Sequence, residues 1–391
     1  MRAGSQQAKR EWPSKRFRNR CQRRGDPGIV EERLPPRATE ERSPQLPGHR
    51  LSLSRGGLTA RTSMRSMLGF GRVKVLGATP GQGTQLRCPG CNGPSIVVFS
   101  EHGDTDPPDL AFGLCKQCGL VFLATKVSEE QLKSAYAAVD SDAYYAAIDS
   151  TLGEKSSRAV ADLSAIVDRD GFSLLDVGCG YGHFLRATRS HWPGARVVGH
   201  EFDDACAEAC RAASFQVTTG DLAAVDELFD VITLLDVAEH VDDPVQVFTT
   251  VRRLLRPGGL MYVHTPCRCG WDSLFLVLLH CPGIRRISQT WLRSRLSIFH
   301  LRLWSDVALT RALNVSGFDV ESFSREFELS WPIDLYAQNY LGRRLHFPAF
   351  AVRVSGALAR FVFVDLRLLR NKAIVVARPR PSLNGSREVA R

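Results

Sequence analysis

Ser173-Leu-Leu-Asp-Val-Gly-Cys-Gly-Tyr-Gly182 runs from an apolar stretch of strand length straight into a turn built on glycine. The residues that follow, His183 to His191, read as a helix. Asp176, Gly178, Gly180 and Gly182 fall at alternate positions. Glycines there let the backbone approach a ligand closely, and the helix that follows presents free N–H groups at its start. The spacing is not G-x-G-x-x-G, and no G-x-x-x-x-G-K-[ST] occurs, so neither a dinucleotide nor a P-loop site is read from it.

Strands and helices alternate outward from this turn. Arg196-Val-Val-Gly-His-Glu201 is a second strand ending in an acid, which suits a pair of ribose hydroxyls. A short strand over Phe215 to Thr218 leads to Gly220-Asp221, whose carboxylate is placed to accept from an adenine amine. Phe229 to Val237 is a fourth strand and Val245 to Leu255 a helix ending at Arg256-Pro-Gly-Gly259; Leu260 to Thr265 is a fifth strand. Gly317 to Ser324 and Asn371 to Ala377 read as the last two, an antiparallel edge pair. This alternation predicts a parallel, doubly wound α/β sheet. Asp176, Glu201, Asp221, Asp236 and His264 map near the C-terminal strand ends, where such sheets bind ligands.

Four of the eleven cysteines form two matched pairs, Cys88-Pro-Gly-Cys91 and Cys115-Lys-Gln-Cys118. A two-residue gap lets a tight turn aim both thiolates at one ion, and zinc takes four such ligands tetrahedrally. Apolar runs at Ile96–Phe99 and Leu120–Leu123 flank the pairs as short strands. The pattern predicts a zinc ribbon, with a redox pair as the alternative. Four thiolates leave no open coordination position, so the expected role of the zinc is structural.

Taken together, Asp176-x-Gly178-x-Gly180-x-Gly182, Glu201, Gly220-Asp221, Asp236–His240 and Leu255-Arg-Pro-Gly-Gly259 resemble the motifs of class I S-adenosylmethionine-dependent methyltransferases. Glu239-His240-Val-Asp-Asp-Pro244 and His300-Leu-Arg-Leu-Trp-Ser305 are similar to the branch that includes ubiquinone-type methyltransferases, and the cysteine pairs to members carrying an N-terminal ribbon. The resemblance covers roughly residues 87–379. It implies a Rossmann-like, seven-stranded, mostly parallel sheet with S-adenosylmethionine as cofactor. Gly178, Gly180 and Gly182 would then line the methionine part, with Asp176 holding the turn. Glu201 would bind the ribose, Asp221 and Leu222 would face the adenine, and Asp236 would help wall the methyl-transfer centre. The chain departs from the pattern at Leu235-Asp-Val-Ala238, which lacks the Asn/Asp-Pro-Pro-aromatic clamp of enzymes that methylate base amines, and at Cys267, where many relatives carry an amide.

Methyl transfer from a sulfonium is an in-line displacement, so the protein contributes mainly alignment. An oxygen acceptor also loses a proton, for which histidine is the usual base near neutral pH. His240, His264 and His300 are the candidates, each weighed against a structural role. Residues 267–304 replace a simple crossover with an insertion rich in aromatics and arginines (Arg285, Arg286, Arg293, Arg295, Arg302). Such a surface suits a phosphorylated acceptor or a peripheral contact with an acidic membrane; a solvated helical cap is the alternative.

The 391 residues divide by composition into a basic tail (1–66), the ribbon (67–125), a helical connector (126–171), the methyltransferase-like domain (172–380) and a terminal tail (381–391). Residues 1–66 carry 16 Lys and Arg against 6 Asp and Glu, and the rest of the chain 35 of each sign. The net charge of +10 is thus a property of the tail, and the folded body carries no general nucleic-acid signal. Glutamates and the lack of an apolar core argue against a targeting role for the tail, and a start at Met64 or Met67 is an alternative account of it. No apolar run of membrane-spanning length occurs, the longest contender, Phe347 to Val364, being broken by Arg353 and Arg360. The expectation is a cytoplasmic enzyme methylating oxygen or carbon of a small-molecule or glycan acceptor. An RNA or protein methyltransferase gripping its target with the ribbon, and a non-catalytic scaffold, are the competing readings. The pattern leaves the oligomeric state open.

Overall fold

The structure, a computed structural model, describes residues 86–101, 110–125, 141–296, 300–328 and 370–381. The basic tail and the Phe347 to Val364 stretch lie outside them. All described residues fall in one compact unit, Ser63–Arg391.

Ser173–Val177 forms strand β4 at the heart of a seven-stranded sheet, following the three ribbon strands β1 (Ser95–Glu101), β2 (Leu110–Cys115) and β3 (Val121–Leu123). Every residue of β4 is buried, as expected for a parallel strand covered on both faces. Helix α1 (Ser141–Ser164) precedes it, and α2 (His183–His191) follows, burying Phe184, Leu185 and Thr188. Then come β5 (Arg196–His200), α3 (Asp204–Ala212), β6 (Gln216–Thr218), β7 (Phe229–Leu235), α4 (Pro244–Leu254) and β8 (Leu255–Pro266). The helices start where cap chemistry says they should. Asp203 accepts from the amides of Ala205 and Cys206, and Asp243 accepts from that of Gln246 with Pro244 at the first turn.

The insertion after β8 folds as two helices, α5 (Gly270–Leu278) and α6 (Arg285–Arg295), followed by the two-residue strand β9 (Arg302–Leu303). Helix α7 (Asp306–Val315), β10 (Phe318–Glu326) and β11 (Lys372–Pro379) complete the described chain. The large sheet runs in the order β10-β11-β8-β7-β4-β5-β6. The strands from β8 to β6 are parallel, while β11 is antiparallel to both β8 and β10. The last two strands form an antiparallel pair at one end of the sheet, as expected, with β10 at the edge and β11 between it and β8. Strand order reverses between β4 and β7, and it is at the C-terminal ends on such a seam that sheets of this kind bind ligands.

The ribbon strands form a second sheet, ordered β1-β2-β3-β9. Its last member comes from the insertion: Val121 pairs with Leu303 and Phe122 with Arg302. Cys88, Cys115, Cys118, Leu120 and Phe122 pack into the same apolar core as Leu175, Ile232, Phe248 and Trp304. The opposite face of the large sheet is filled by Leu163, Leu174, Leu185, Trp192 and Tyr262. At about 1.5–3 kcal/mol for each large apolar side chain removed from water, these two layers supply the dominant stabilising force.

The arginine surface expected on the insertion is only partly present. Arg295 is internal, at 3.3 Å from Asp272 and donating to the Cys267 carbonyl at 2.9 Å, and Arg302 is buried over the Trp304 ring. Their guanidinium groups are drawn inward because partners, the buried Asp272 and the Asp242 carbonyl, are there to receive them. The aromatics also pack on one another, Trp271 against Phe275 and Phe275 against Trp291. Beside the exposed Arg285 and His280, the hairpin shows four aliphatic side chains to solvent, Leu274, Val277, Ile284 and Ile287. Among the described residues, no helix is long and apolar enough to cross a membrane.

Candidate active site

The glycine turn closes on the end of β5. The amides of Gly178 and Cys179 donate to the His200 carbonyl at 2.7 and 3.2 Å. Gly178 sits at φ +74°, and a Cβ there would lie 2.6 Å from Val237 Cγ2, so both conformation and space exclude a larger residue. Gly182, at φ +76°, is the N-cap of α2. Gly180 also takes a positive φ.

Glu201 locks this turn. One carboxylate oxygen accepts from the Gly180 amide at 2.7 Å, and the other from the amides of Phe202 and Asp203 at 2.8 and 2.9 Å. A carboxylate offers about four acceptor positions. Three are used, so one remains for a hydroxyl, and the rim places it beside the turn. Asp176 is buried beneath, accepting from the Thr233 hydroxyl at 2.7 Å. Burial pushes its carboxyl up to about 7, against the pull of Thr233 and with the Glu201 charge adding to the rise. Asp176 therefore supports the turn from below. Asp221 caps the short 3-10 turn Leu222–Ala224, accepting from the Ala223 amide, and Leu222 is half-buried beside it. An acid aimed at vicinal hydroxyls, glycines giving close backbone approach and a helix start fit the nucleoside and amino-acid parts of S-adenosylmethionine.

Asp236 ends β7 in a left-handed conformation, φ 55°, held by its amide's bond to the His264 carbonyl at 2.7 Å. Its carboxylate is the hub of an ion network. It pairs with Lys155 from α1, with Lys372 from β11 at 2.8 Å and with His264 Nδ1 at 3.1 Å. Glu328 closes the network, 3.2 Å from His264 Nε2 and 3.5 Å from Lys372 Nζ. Burial alone would raise the Asp236 carboxyl, but Lys155, Lys372 and His264 hold it well below its ordinary value. Glu328 is likewise brought down to about 2, with Lys372 and His264 outweighing burial.

The three candidate histidines sit in different surroundings. Burial would make His264 less basic, but Asp236 and Glu328 overcome it and raise the ring, with each nitrogen facing a carboxylate. Both nitrogens of His264 are thus engaged within the network. His300 is pushed down to about 3 by burial and by neighbouring His240, so it is neutral at pH 7 but a poor base. His240 lies at the mouth, partly exposed, with its ring 4.8 Å from that of His300 and Nε2 3.7 Å from Glu239 Oε1. Glu239 is fully buried, accepts from the Thr265 hydroxyl at 2.8 Å, and is pushed up by burial against the pull of His240. Lys155, Lys372 and Glu328 escaped the sequence reading. Lys372 had the clearest signal, a cation opening the apolar run Ala373–Ala377.

The four cysteine sulfurs converge. Cys88 and Cys118 Sγ are 3.6 Å apart, Cys91 and Cys115 Sγ 3.5 Å, and all four lie within 4.8 Å of one another. A tetrahedral site with 2.3 Å bonds has sulfurs about 3.8 Å apart. Burial acts to raise the Cys115 thiol, but the amides of Cys118 and Gln117 overcome it and bring the group to about 6.

Known proteins bear on this geometry. Residues 148–322 match the methyltransferase domain family Methyltransf_23. The chain is 35% identical over 195 residues to the ubiquinone biosynthesis O-methyltransferase of Alkalilimnicola ehrlichii, covering 46% of this chain and 76% of that protein. The chain belongs to the class I S-adenosylmethionine-dependent methyltransferases. As a methyltransferase-family chain it also matches the ubiquinone biosynthesis O-methyltransferase of Cereibacter sphaeroides (strain ATCC 17025), 40% identical over 113 residues, 27% of this chain and 45% of that protein. It thus spans less than half the length of the Cereibacter relatives it matches. A glycopeptide N-methyltransferase structure superposes with a TM-score of 0.35 at 14% identity, covering 58% of this chain and 90% of that one.

Proposed function

We propose that this chain transfers a methyl group from S-adenosylmethionine to a small-molecule acceptor, at oxygen in preference to carbon. The observation that carries this is the Glu201 lock on the glycine turn, which presents an acid to vicinal hydroxyls at the seam of the sheet. The names of the relatives, ubiquinone biosynthesis O-methyltransferases, support an oxygen acceptor.

When bound, S-adenosylmethionine supplies an electrophilic methyl group on a sulfonium. Glu201 and the turn around Gly178, Gly180 and Gly182 hold the cofactor, with Asp176 bracing the turn and Asp221 and Leu222 at the adenine side. Asp236 acts from the network, fixing the end of β7 beside the reacting centre. His240 takes the proton of the acceptor hydroxyl at Nε2, with the Glu239 carboxyl behind it and the His300 ring steadying it edge-on. The aliphatic face of the α5–α6 hairpin suits an acceptor or surface with apolar character. Cys88, Cys91, Cys115 and Cys118 hold a structural zinc, supported by their sulfur spacing.

Calorimetric titration of S-adenosylmethionine into the zinc-supplemented full chain tests the cofactor reading, with Gly180→Asp as control. Micromolar binding lost in the variant is expected. Product formation is then followed with hydroxylated aromatics and nucleotide sugars as acceptors. A folded chain that binds no cofactor would leave the scaffold reading in its place.

A further inference from the structure

Residues 300–303 belong to two structures at once. Phe122 and Val121 of the ribbon pair with Arg302 and Leu303, and the Leu123 amide donates to the Leu301 carbonyl at 2.8 Å. On the other side, the Leu301 amide donates to the Glu239 carbonyl at 2.9 Å. His300 is the residue before it, and its ring meets that of His240 edge-on, with centroids 4.8 Å apart. The strand that supports this segment begins three residues after Cys118. A continuous run of backbone bonds therefore joins the four-cysteine site to the histidine pair.

Two buried arginines flank the same junction. Arg302 is 3% exposed; Nη2 donates to the Asp242 carbonyl at 2.9 Å, while Nε and Nη1 have no hydrogen-bond partner among the described residues. Arg268 donates through Nη1 to the Gly119 carbonyl at 2.6 Å and through Nη2 to Ser273, and its Nε has no such partner. The acids acting on Arg302 are Asp242, Asp243 and Glu239, and none of their carboxylates bonds it; Cys88 is the next negative group in range. Asp272 and Cys118 act on Arg268. A buried guanidinium short of partners is costly unless a compensating charge is near. Zinc held by four thiolates makes a centre of charge −2, matching two guanidinium cations.

Resting on the structural zinc proposed above, we infer that Arg268 and Arg302 are outer-sphere counter-cations of that centre, and that Arg302 is a positioning residue through which metal loading sets the place of His300 and His240. The ribbon then acts on the acceptor side of the site and leaves the cofactor side alone. Glu201 bonds the amides of Gly180, Phe202 and Asp203, none of them in the ribbon.

The test uses the full chain carrying 13C-labelled histidine, with ring resonances assigned by His300→Asn and His240→Gln. Stripping zinc with a chelator is expected to shift the His300 and His240 resonances, to leave His200 on β5 unmoved, and to change the Kd for S-adenosylmethionine by less than about twofold. Arg302→Gln is expected to speed zinc release to a chelator by about 10-fold to 100-fold, the range for loss of an outer-shell partner, with Arg302→Lys intermediate. Zinc that leaves Arg302→Gln at the wild-type rate overturns the inference. So do histidine resonances identical with and without zinc, or a His200 shift as large as that of His300, which would mean general unfolding. A chain that holds no zinc overturns the metal reading and this inference together, while the cofactor titration separately decides the methyltransferase reading.

Discussion

Replacing Asp236 by Asn removes one charge and almost no volume, and Asn tolerates the left-handed backbone found there. In the wild type, Lys155, Lys372 and His264 face Asp236 and Glu328. In the variant the two lysines and the ring are left with Glu328 alone. Removing one partner from a buried ion pair costs about 3–5 kcal/mol. With Lys372 2.8 Å from the lost charge and almost fully buried, the loss should be about 4 kcal/mol. At a urea m-value of about 3 kcal/mol/M, that lowers the unfolding midpoint by about 1.3 M.

The dependence on pH makes the test specific. His264 is raised in the folded wild type, so its contribution is complete below its unfolded value and is lost as pH climbs through the raised one. Without Asp236, burial becomes the leading influence and the ring drops below its ordinary value, so the variant gains stability from this group as pH rises. The stability difference between the two proteins should therefore be largest near pH 5 and shrink towards pH 8, by about 1.4 kcal/mol for each unit of relative shift. Taking the difference cancels most of the contribution of other buried histidines, such as His200. Urea titrations at four pH values, followed by circular dichroism, measure it. A difference below about 1 kcal/mol, or one flat from pH 5 to 8, would refute the reasoning.

Three other outcomes are expected. Gly178→Ala should cost about 1–3 kcal/mol in backbone strain and abolish cofactor binding by calorimetry; adding Val237→Ala relieves the 2.6 Å clash but not the positive φ, so recovery should be partial. His240→Gln should lower kcat by at least about 100-fold with an unchanged cofactor Kd, while His264→Gln should act mainly on the melting temperature. Asp272→Ala strands the buried Arg295 and unties the Trp291 indole, which donates to it at 2.8 Å, so unfolding should become easier by about 3 kcal/mol and the tryptophan emission should move to longer wavelength.

The parts of this molecule that were readable from sequence are those whose causes are local. The glycine turn needs particular backbone angles at Gly178 and Gly182, and the paired cysteines need a two-residue gap. Both leave their mark within a dozen residues. The Asp236 network draws on α1, β7, β8, β11 and the residue beyond β10, and no spacing relates Lys155 to Lys372. Strand β9 is two residues long, too short for any apolar period, yet it joins the ribbon to the histidine pair. The histidines show the same division. Their position near the strand ends was legible, but which ring stays basic depends on Glu328 and on burial. The arginines of the insertion misled for the same reason, since the acid that buries Arg295 lies on the neighbouring helix.

The interior position of β11 has a consequence for synthesis. As the chain leaves the ribosome, β8 and β10 emerge long before Lys372–Pro379, so the nascent sheet has a gap where two strands wait for a third. Until it arrives, the β8 edge offers unpaired backbone to any passing strand, a template for aggregation. The last piece also carries Lys372, so the charges around Asp236 stay unbalanced over the same interval. Folding of the sheet thus has to finish after most of the chain has been made. A ribosome stalled between residues 330 and 370 would present a product that chaperones should hold and that proteases should clear.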